Sequence, residues 1–481
     1  MWASAMALRA GRRVRVRRML AVNAGKTTAA GSRALRRGGG TALPGLVAER
    51  LDSRIVADLA RQLALGSVAV SGTNGKTTTC RLLAAILKDQ GLRTVRNESG
   101  SNLMRGVITS LLHDAGILGN LPRDKVSIGV FEIDEAALLG VLPMLEPRCL
   151  LLLNLFRDQL DRYGEVATVA NLWKSALQDL PAESALIVNA DDPLVWATAR
   201  SSGRRVVSFG LDMPPEGVTS PEHGGDVKAC PCCGAPIAYR STTFGHLGDY
   251  ACTVCNFARV SPDVSVSGIE LLGTSGSRFL VRTANTVVRV RLPLPGMYNL
   301  YNAAAAITTA LVLGVPEEES AASLEYVTPA FGRMERFDAE GRTVCLALAK
   351  NPAGLNEVLR TATNVADLHL LMMLSDNTAD GHDVSWIWDA DVEMLADHVS
   401  SAVFAGTRGP DMALRFKYAG IIGGGDRPAW EVRENSAQAF DVALAGASAG
   451  STLFVVPTYT ALLDIRSILV ARGYVRPYWD E

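Results

Sequence analysis

The sequence predicts an α/β protein: a largely parallel central sheet with helices on both faces, a small cysteine ribbon inserted into it, and a smaller C-terminal α/β domain of Rossmann-like type. Three observations predict it. Short apolar runs alternate with helical spacing from about Leu46 to Thr328. Two C-x-x-C pairs interrupt that rhythm between roughly Val227 and Ser261. A second alternation of strands and helices begins near Arg342.

In chain order, residues 1–45 read as a basic arm, partly disordered. From Met1 to Arg37 there is no acidic residue, while Arg9, Arg12, Arg13, Arg15, Arg17 and Arg18 crowd together. Met19-Leu20-Ala21-Val22 is too short for the apolar core of a secretory signal, and no run approaches the roughly 20 apolar residues that span a bilayer. A cytoplasmic protein is expected. The arm reads as an unstructured tail, or as text upstream of an alternative start at Met19, in preference to a contact with anionic lipid. Over the 481 residues, 48 basic side chains balance 49 acidic ones, so no global field draws the chain to nucleic acid.

Residues 46–328 form the expected central domain. Ser67-Val68-Ala69-Val70 reads as a buried strand, and Leu82, Leu83, Ile86 and Leu87 recur at helical spacing. Between them lies Ser71-Gly72-Thr73-Asn74-Gly75-Lys76-Thr77-Thr78-Thr79. A strand, a glycine turn and a helix N-terminus together make a phosphate cradle. Backbone N–H groups face the phosphate oxygens, Lys76 reaches the outer phosphates, and the Thr77 hydroxyl sits on Mg²⁺. The expected ligand is ATP. Ala24-Gly25-Lys26-Thr27-Thr28 imitates this pattern without a preceding strand and is set aside.

Two later strands also deliver polar groups to the sheet edge. Ile128 to Glu132 ends in a carboxylate suited to Mg²⁺, and Cys149 to Leu153 runs into Asn154 and Asp158-Gln159. Asn189-Ala190-Asp191-Asp192-Pro193 follows another short strand, Gly296 to Asn302 opens an alanine-rich helix, and Phe331-Gly332-Arg333-Met334-Glu335 closes the domain. Within the insert, 227–261, Cys230, Cys233, Cys252 and Cys255 form two knuckles 18 residues apart. That spacing suits tetrahedral thiolate binding of a structural Zn²⁺ and leaves Cys232 spare. Cys80, Cys149 and Cys345 lie in apolar text and read as buried thiols.

Taken in order, these blocks resemble the central domain of the Mur ligases, the acid–amine ligases of peptidoglycan synthesis. The resemblance implies that a carboxylate is activated by ATP as an acyl phosphate and then attacked by an amine. It implies ATP and Mg²⁺ binding by Gly72, Thr73, Asn74, Gly75, Lys76, Thr77, Thr78, Glu132 and Arg333, with Asn302 and Asp191 facing adenine and ribose. Departures are visible. Gln159 stands where most members have histidine, Lys174 lies at about the distance of a lysine that many carry carbamoylated but reads as an ordinary surface residue, and the loop begins too early for a uridine-nucleotide-binding domain before it.

Residues 329–481 form the expected C-terminal domain, with strands at Thr343 to Leu348, His369 to Leu374, Ala402 to Ala405 and Thr452 to Val456. After the second comes Ser375-Asp376-Asn377-Thr378-Ala379-Asp380-Gly381-His382-Asp383, then Trp386 and Trp388. Its start imitates a calcium loop, but Ile387 stands at the twelfth position, so calcium is rejected. This block, with Ala349 to Gly354 and Val456 to Thr460, is similar to the MurT-type subunits of lipid II isoglutaminyl synthase. That resemblance implies amidation of the D-isoglutamate α-carboxyl of lipid II at the membrane surface, with ammonia from a GatD-type glutaminase partner. It also implies that Asp383 completes the partner's Cys-His pair. The residues alone leave open a stand-alone amino-acid ligase and a non-catalytic zinc-containing scaffold.

Overall fold

A computed structural model describes residues 2–34, 42–97, 101–122, 126–158, 166–212, 225–328, 332–423 and 428–476; Gln159 and Phe331 lie outside the described residues. The first half is built on β1 (Ser67–Ser71), β2 (Arg93–Arg96), β3 (Ser127–Glu132), β4 (Cys149–Leu152), β5 (Ala185–Asn189) and β6 (Val206–Leu211). A separate two-stranded hairpin, β7 (Ile237–Phe244) and β8 (Leu247–Cys252), carries the cysteine pairs. The chain then rejoins the sheet as β9 (Val264–Leu271), β10 (Ser277–Arg282) and β11 (Val287–Leu292).

The nine strands run in the order β11-β10-β9-β6-β5-β4-β1-β3-β2. Pairing is parallel from β2 to β9 and antiparallel through β10 and β11. Strands covered on both faces read as unbroken apolar runs, and β1 shows why. Val68 and Val70 pack into a core with helices Lys76–Asp89 and Met297–Val312. Ala69 points the other way, into a core with helices Met104–Asp114, Leu138–Leu145 and Val166–Ala176. After β1 the chain builds β2 and β3 on one side and then β4 on the other. Such a reversal opens a crevice at the C-terminal ends of the strands, where open α/β sheets hold ligands.

The second sheet, ordered β12-β13-β17-β14-β15-β16, contains β12 (Arg333–Ala339), β13 (Arg342–Ala347), β14 (Leu368–Met373), β15 (Val399–Ala405), β16 (Ala429–Val432) and β17 (Thr452–Pro457). Only β12 runs antiparallel to its neighbour. Its strand ends deliver Lys350 and Asn351 after β13 and the acidic loop after β14.

One expectation fails. Residues 2–34, read as an unstructured tail, form a single helix. Ala21 and Val22 are fully buried beside Ala48, Leu111 and Leu112, and with the buried Gly25 they make a small anchor that the preceding arginines hide in the sequence. Among the described residues no helix is long and apolar enough to cross a membrane.

Candidate active site

The turn after β1 carries the site. Gly72 and Gly75 hold φ of 147° and 89°, and the second value belongs to the left-handed region that favours glycine. A Cβ on Gly75 would run into the side-chain amide of Asn302. The turn is braced from β4: Thr73 N donates to the Asn154 carbonyl (2.9 Å), Asn74 N donates to Asn154 Oδ1 (2.9 Å), and Asn154 Nδ2 donates back to the Asn74 carbonyl (3.1 Å). Helix Lys76–Asp89 starts directly behind it. Its first-turn N–H groups have no partner within the helix and aim at the crevice.

The cations and carboxylates of the turn lie together. Thr77 Oγ1 donates to Glu132 Oε2 at 2.7 Å. Lys76 Nζ, almost fully buried, bonds the Gly72 carbonyl and Glu135 Oε2, the latter at 3.0 Å. Burial opposes the Lys76 ammonium, but Glu135, Glu132 and Asp134 outweigh it and raise its pKa. Lys76 therefore stays charged. Glu135 had no role in the sequence reading; it is set only three residues beyond Glu132, and nothing local marks it.

The second domain closes on the loop through groups that the sequence reading quoted without assigning. Asn351 Nδ2 donates to Asn74 Oδ1 (3.2 Å), and Lys350 Nζ bonds Asp158 Oδ2. Between the two units lies a cleft lined by Asn74, Gly75, Tyr298, Asn302, Arg333 and Glu357. Burial lowers the pKa of the Arg333 guanidinium, while Glu132, Tyr298 and Asp158 pull it back up. Asn302 sits against the loop, within 3.3 Å of Thr79 Oγ1 and bonded to Asn299 Oδ1 at 3.0 Å.

Asp191 is placed differently from its expected position at adenine and ribose. It is fully buried, outside the residues that line the cleft, and its oxygens accept from Arg259 Nε (2.7 Å), Tyr301 OH (2.9 Å) and Leu211 N (2.8 Å). With those acceptors engaged, it ties β6 and the ribbon to helix Met297–Val312. Asp192 beside it caps helix Pro193–Ser201. Lys174 is partly buried on helix Val166–Ala176.

Four thiols meet in the hairpin insert. The sulfurs of Cys230, Cys233, Cys252 and Cys255 lie within 4.8 Å of one another, with 3.7 Å for Cys230–Cys255 and 3.5 Å for Cys233–Cys252. Tetrahedral Zn–S bonds of about 2.3 Å require S···S separations of about 3.8 Å. The Val254 and Cys255 N–H groups point at the Cys252 sulfur (3.4 and 3.3 Å) and pull its pKa down to about 6. The donor set is compatible with zinc. Cys232 is exposed and stands outside it. Cys80, Cys149 and Cys345 are buried thiols.

Asp383 is exposed on the loop after β14, where Ser385 N donates to its Oδ1 at 2.8 Å. Hydrogen bonds from the Ser385 side chain and backbone hold its carboxyl below the usual range. The neighbouring acids serve the loop itself: Asp376 accepts from Thr407 Oγ1 (2.7 Å), and Asp380 from Thr460 N (2.8 Å). Arg157, from the end of β4, pairs with Asp389 at 3.0 Å and joins this loop to the central domain.

Comparison with known proteins follows the same division. A family model described as Mur ligase middle domain matches residues 70–227, and one described as MurT ligase C-terminal matches residues 348–462. A protein of Streptococcus pneumoniae (strain ATCC BAA-255 / R6), lipid II isoglutaminyl synthase (glutamine-hydrolyzing) subunit MurT, is 31% identical over 443 residues, which is 92% of this chain and 95% of its own. The chain belongs to the MurT family. A MurT subunit from Staphylococcus aureus (strain COL) is likewise 31% identical, over 84% of this chain and 89% of its own. The fold is that of a Mur ligase. A pseudomurein peptide ligase type C from Methanothermus fervidus superposes with a TM-score of 0.63 at 20% identity, over 84% of this chain and 78% of its own.

In this MurT-family chain Asp191→Ala would leave a largely buried arginine without its counter-charge. The expected outcome is a loss of about 3–5 kcal/mol in stability. Chemical denaturation measures it, and an unchanged midpoint with weakened ATP binding would return Asp191 to the nucleotide.

Proposed function

We propose that this chain is the synthetase subunit of a glutamine-hydrolysing amidotransferase that converts the D-isoglutamate α-carboxyl of the lipid II stem peptide to the amide. The observation that carries the reading is the Thr77–Glu132 pair at 2.7 Å beside a charged, buried Lys76, at the point where the strand order reverses. The name of the relatives that match nearly the whole chain supplies the acceptor and the nitrogen source.

ATP supplies the γ-phosphoryl group that turns the acceptor carboxylate into an acyl phosphate, the form that ammonia attacks. Gly72, Thr73, Asn74 and Gly75 shape the cradle, Thr73 and Asn74 with their N–H groups held by Asn154, and the first-turn amides of the helix, Thr78 among them, face phosphate. Lys76 leaves Glu135 for the outer phosphates. Thr77 and Glu132 would hold Mg²⁺, whose charge offsets that of the transferring group. Asn302 and Arg333 line the nucleotide cleft, and Lys350 and Asn351 carry the second domain onto the loop. Water is thereby excluded from an intermediate that it would hydrolyse.

Ammonia comes from a separate glutaminase subunit of GatD type in a heterodimer. Asp383 is the group offered to it: an exposed carboxylate held ionised can accept the N–H of a partner histidine and fix its tautomer. The substrate is lipid-linked, so the chain works at the cytoplasmic face of the membrane. Zn²⁺ held by Cys230, Cys233, Cys252 and Cys255 is structural, since four protein ligands leave no open position.

Two outcomes are expected. In the assembled heterodimer, Asp383→Asn abolishes glutamine-driven amidation, yet leaves ATP binding and ammonium-driven amidation in place; loss of ammonium-driven amidation as well would contradict the role. Metal analysis finds one zinc per chain, and Cys252→Ser loses the metal together with thermal stability. Full zinc retention in that variant would remove Cys252 from the ligand set.

A further inference from the structure

The helix Trp2–Ala34 is fixed to the protein at its middle, and residues 14–17 just before that anchor are exposed. Ala21 and Val22 are buried. Arg17 donates to the Leu51 carbonyl (2.6 Å), Arg18 to Asn120 Oδ1 (2.7 Å) and Asn23 to the Ile117 carbonyl (2.7 Å). The last two bonds seat the loop after helix Met104–Asp114 against the arginine-rich helix. Large apolar side chains in this region face outward, among them Val14 (42% exposed), Val16 (46%), Leu20 (57%), Ile117 (73%) and Leu118 (67%). Val16 and Leu20, four residues apart, share one side of the helix.

The charge around them has one sign along the chain. Arg15, Arg17 and Arg18 stand in the same turns, the helix continues back through Arg9, Arg12 and Arg13, and the first acidic residue of the sequence is Glu49. A merely solvated face has no use for clustered exposed aliphatic groups, and a protein-binding face seldom carries such a run of unrelieved positive charge. Apolar side chains set among arginines match a bilayer surface: the aliphatic groups enter the headgroup boundary and the guanidinium groups meet phosphate.

We propose that this face, formed by the arginine-rich helix and the 117–118 loop, is an interfacial docking surface for anionic phospholipid. It rests on the reading that the acceptor is lipid-linked, and it gives that reading a physical means: the chain lies on the membrane that holds its substrate.

The test is co-sedimentation of the full chain with vesicles of phosphatidylcholine alone or mixed equally with phosphatidylglycerol. The mixed vesicles should bind about tenfold more tightly, with the difference shrinking as salt screens the arginines. Val16→Asp with Leu20→Asp, at positions exposed enough to keep the fold, should cut that binding about tenfold while leaving the melting temperature unchanged. Equal binding to both vesicles, or a variant that binds like the parent, would overturn the proposal. So would a chain that dimerises through this face, or one that prefers duplex DNA to the mixed vesicles. Amidation of a water-soluble stem peptide serves as the separate control. The vesicle variant should leave it untouched, and failure of the parent heterodimer to amidate that peptide would sink the functional reading while the vesicle result stood.

Discussion

The chemistry of this chain hangs on one turn. Between β1 and its helix the backbone must reverse while directing N–H groups toward a ligand, and it does so with Gly75 in the left-handed region, pressed against the Asn302 amide. No side chain fits there. Asn154 holds the turn from β4 with three hydrogen bonds, so the ends of two adjacent strands set the cradle together. Glu132, from the strand on the other side of β1, then reaches Thr77 without rearrangement. The position of the site follows from strand order before any ligand is considered.

Before it meets a ligand, this turn satisfies its own charges. Lys76 rests on Glu135 and on carbonyls of its loop. A buried ammonium without such partners would be costly, so the resting pair keeps the site folded when it is empty. In the proposed reading phosphate would replace Glu135 as the counter-charge; the second domain is already tethered to the turn through Asn351 and to the β4 edge through Lys350. Arg157 extends the connection to the loop bearing Asp383. The turn proposed to activate the acid and the loop proposed to meet the nitrogen source are thus linked through Arg157.

How much of this was legible depended on how local its cause is. Strands β1, β3, β4 and β5 could be read because both their faces are buried and their text is uniformly apolar. Two edge strands could not: in β2 only Val95 is buried, and β16 buries none of its residues. The phosphate loop and the cysteine pairs are spacing signals and could be placed from the text. The N-terminal helix was missed because its anchor is only Ala21, Val22 and Gly25, three small residues after a run of arginines. Asp191 was misplaced because its partner Arg259 lies 68 residues away, across an insert. Glu135 went unseen for the same reason, since its lysine is 59 residues earlier.

The central claim is that an acceptor carboxylate is activated by phosphoryl transfer at the β1 turn before ammonia attacks it. It is tested most directly by labelling both oxygens of the D-isoglutamate α-carboxyl with ¹⁸O and following the released phosphate during amidation. One labelled oxygen should appear in inorganic phosphate for each amide formed, because the C–O bond that breaks belongs to the acyl phosphate. Amide formation with unlabelled phosphate would contradict the account.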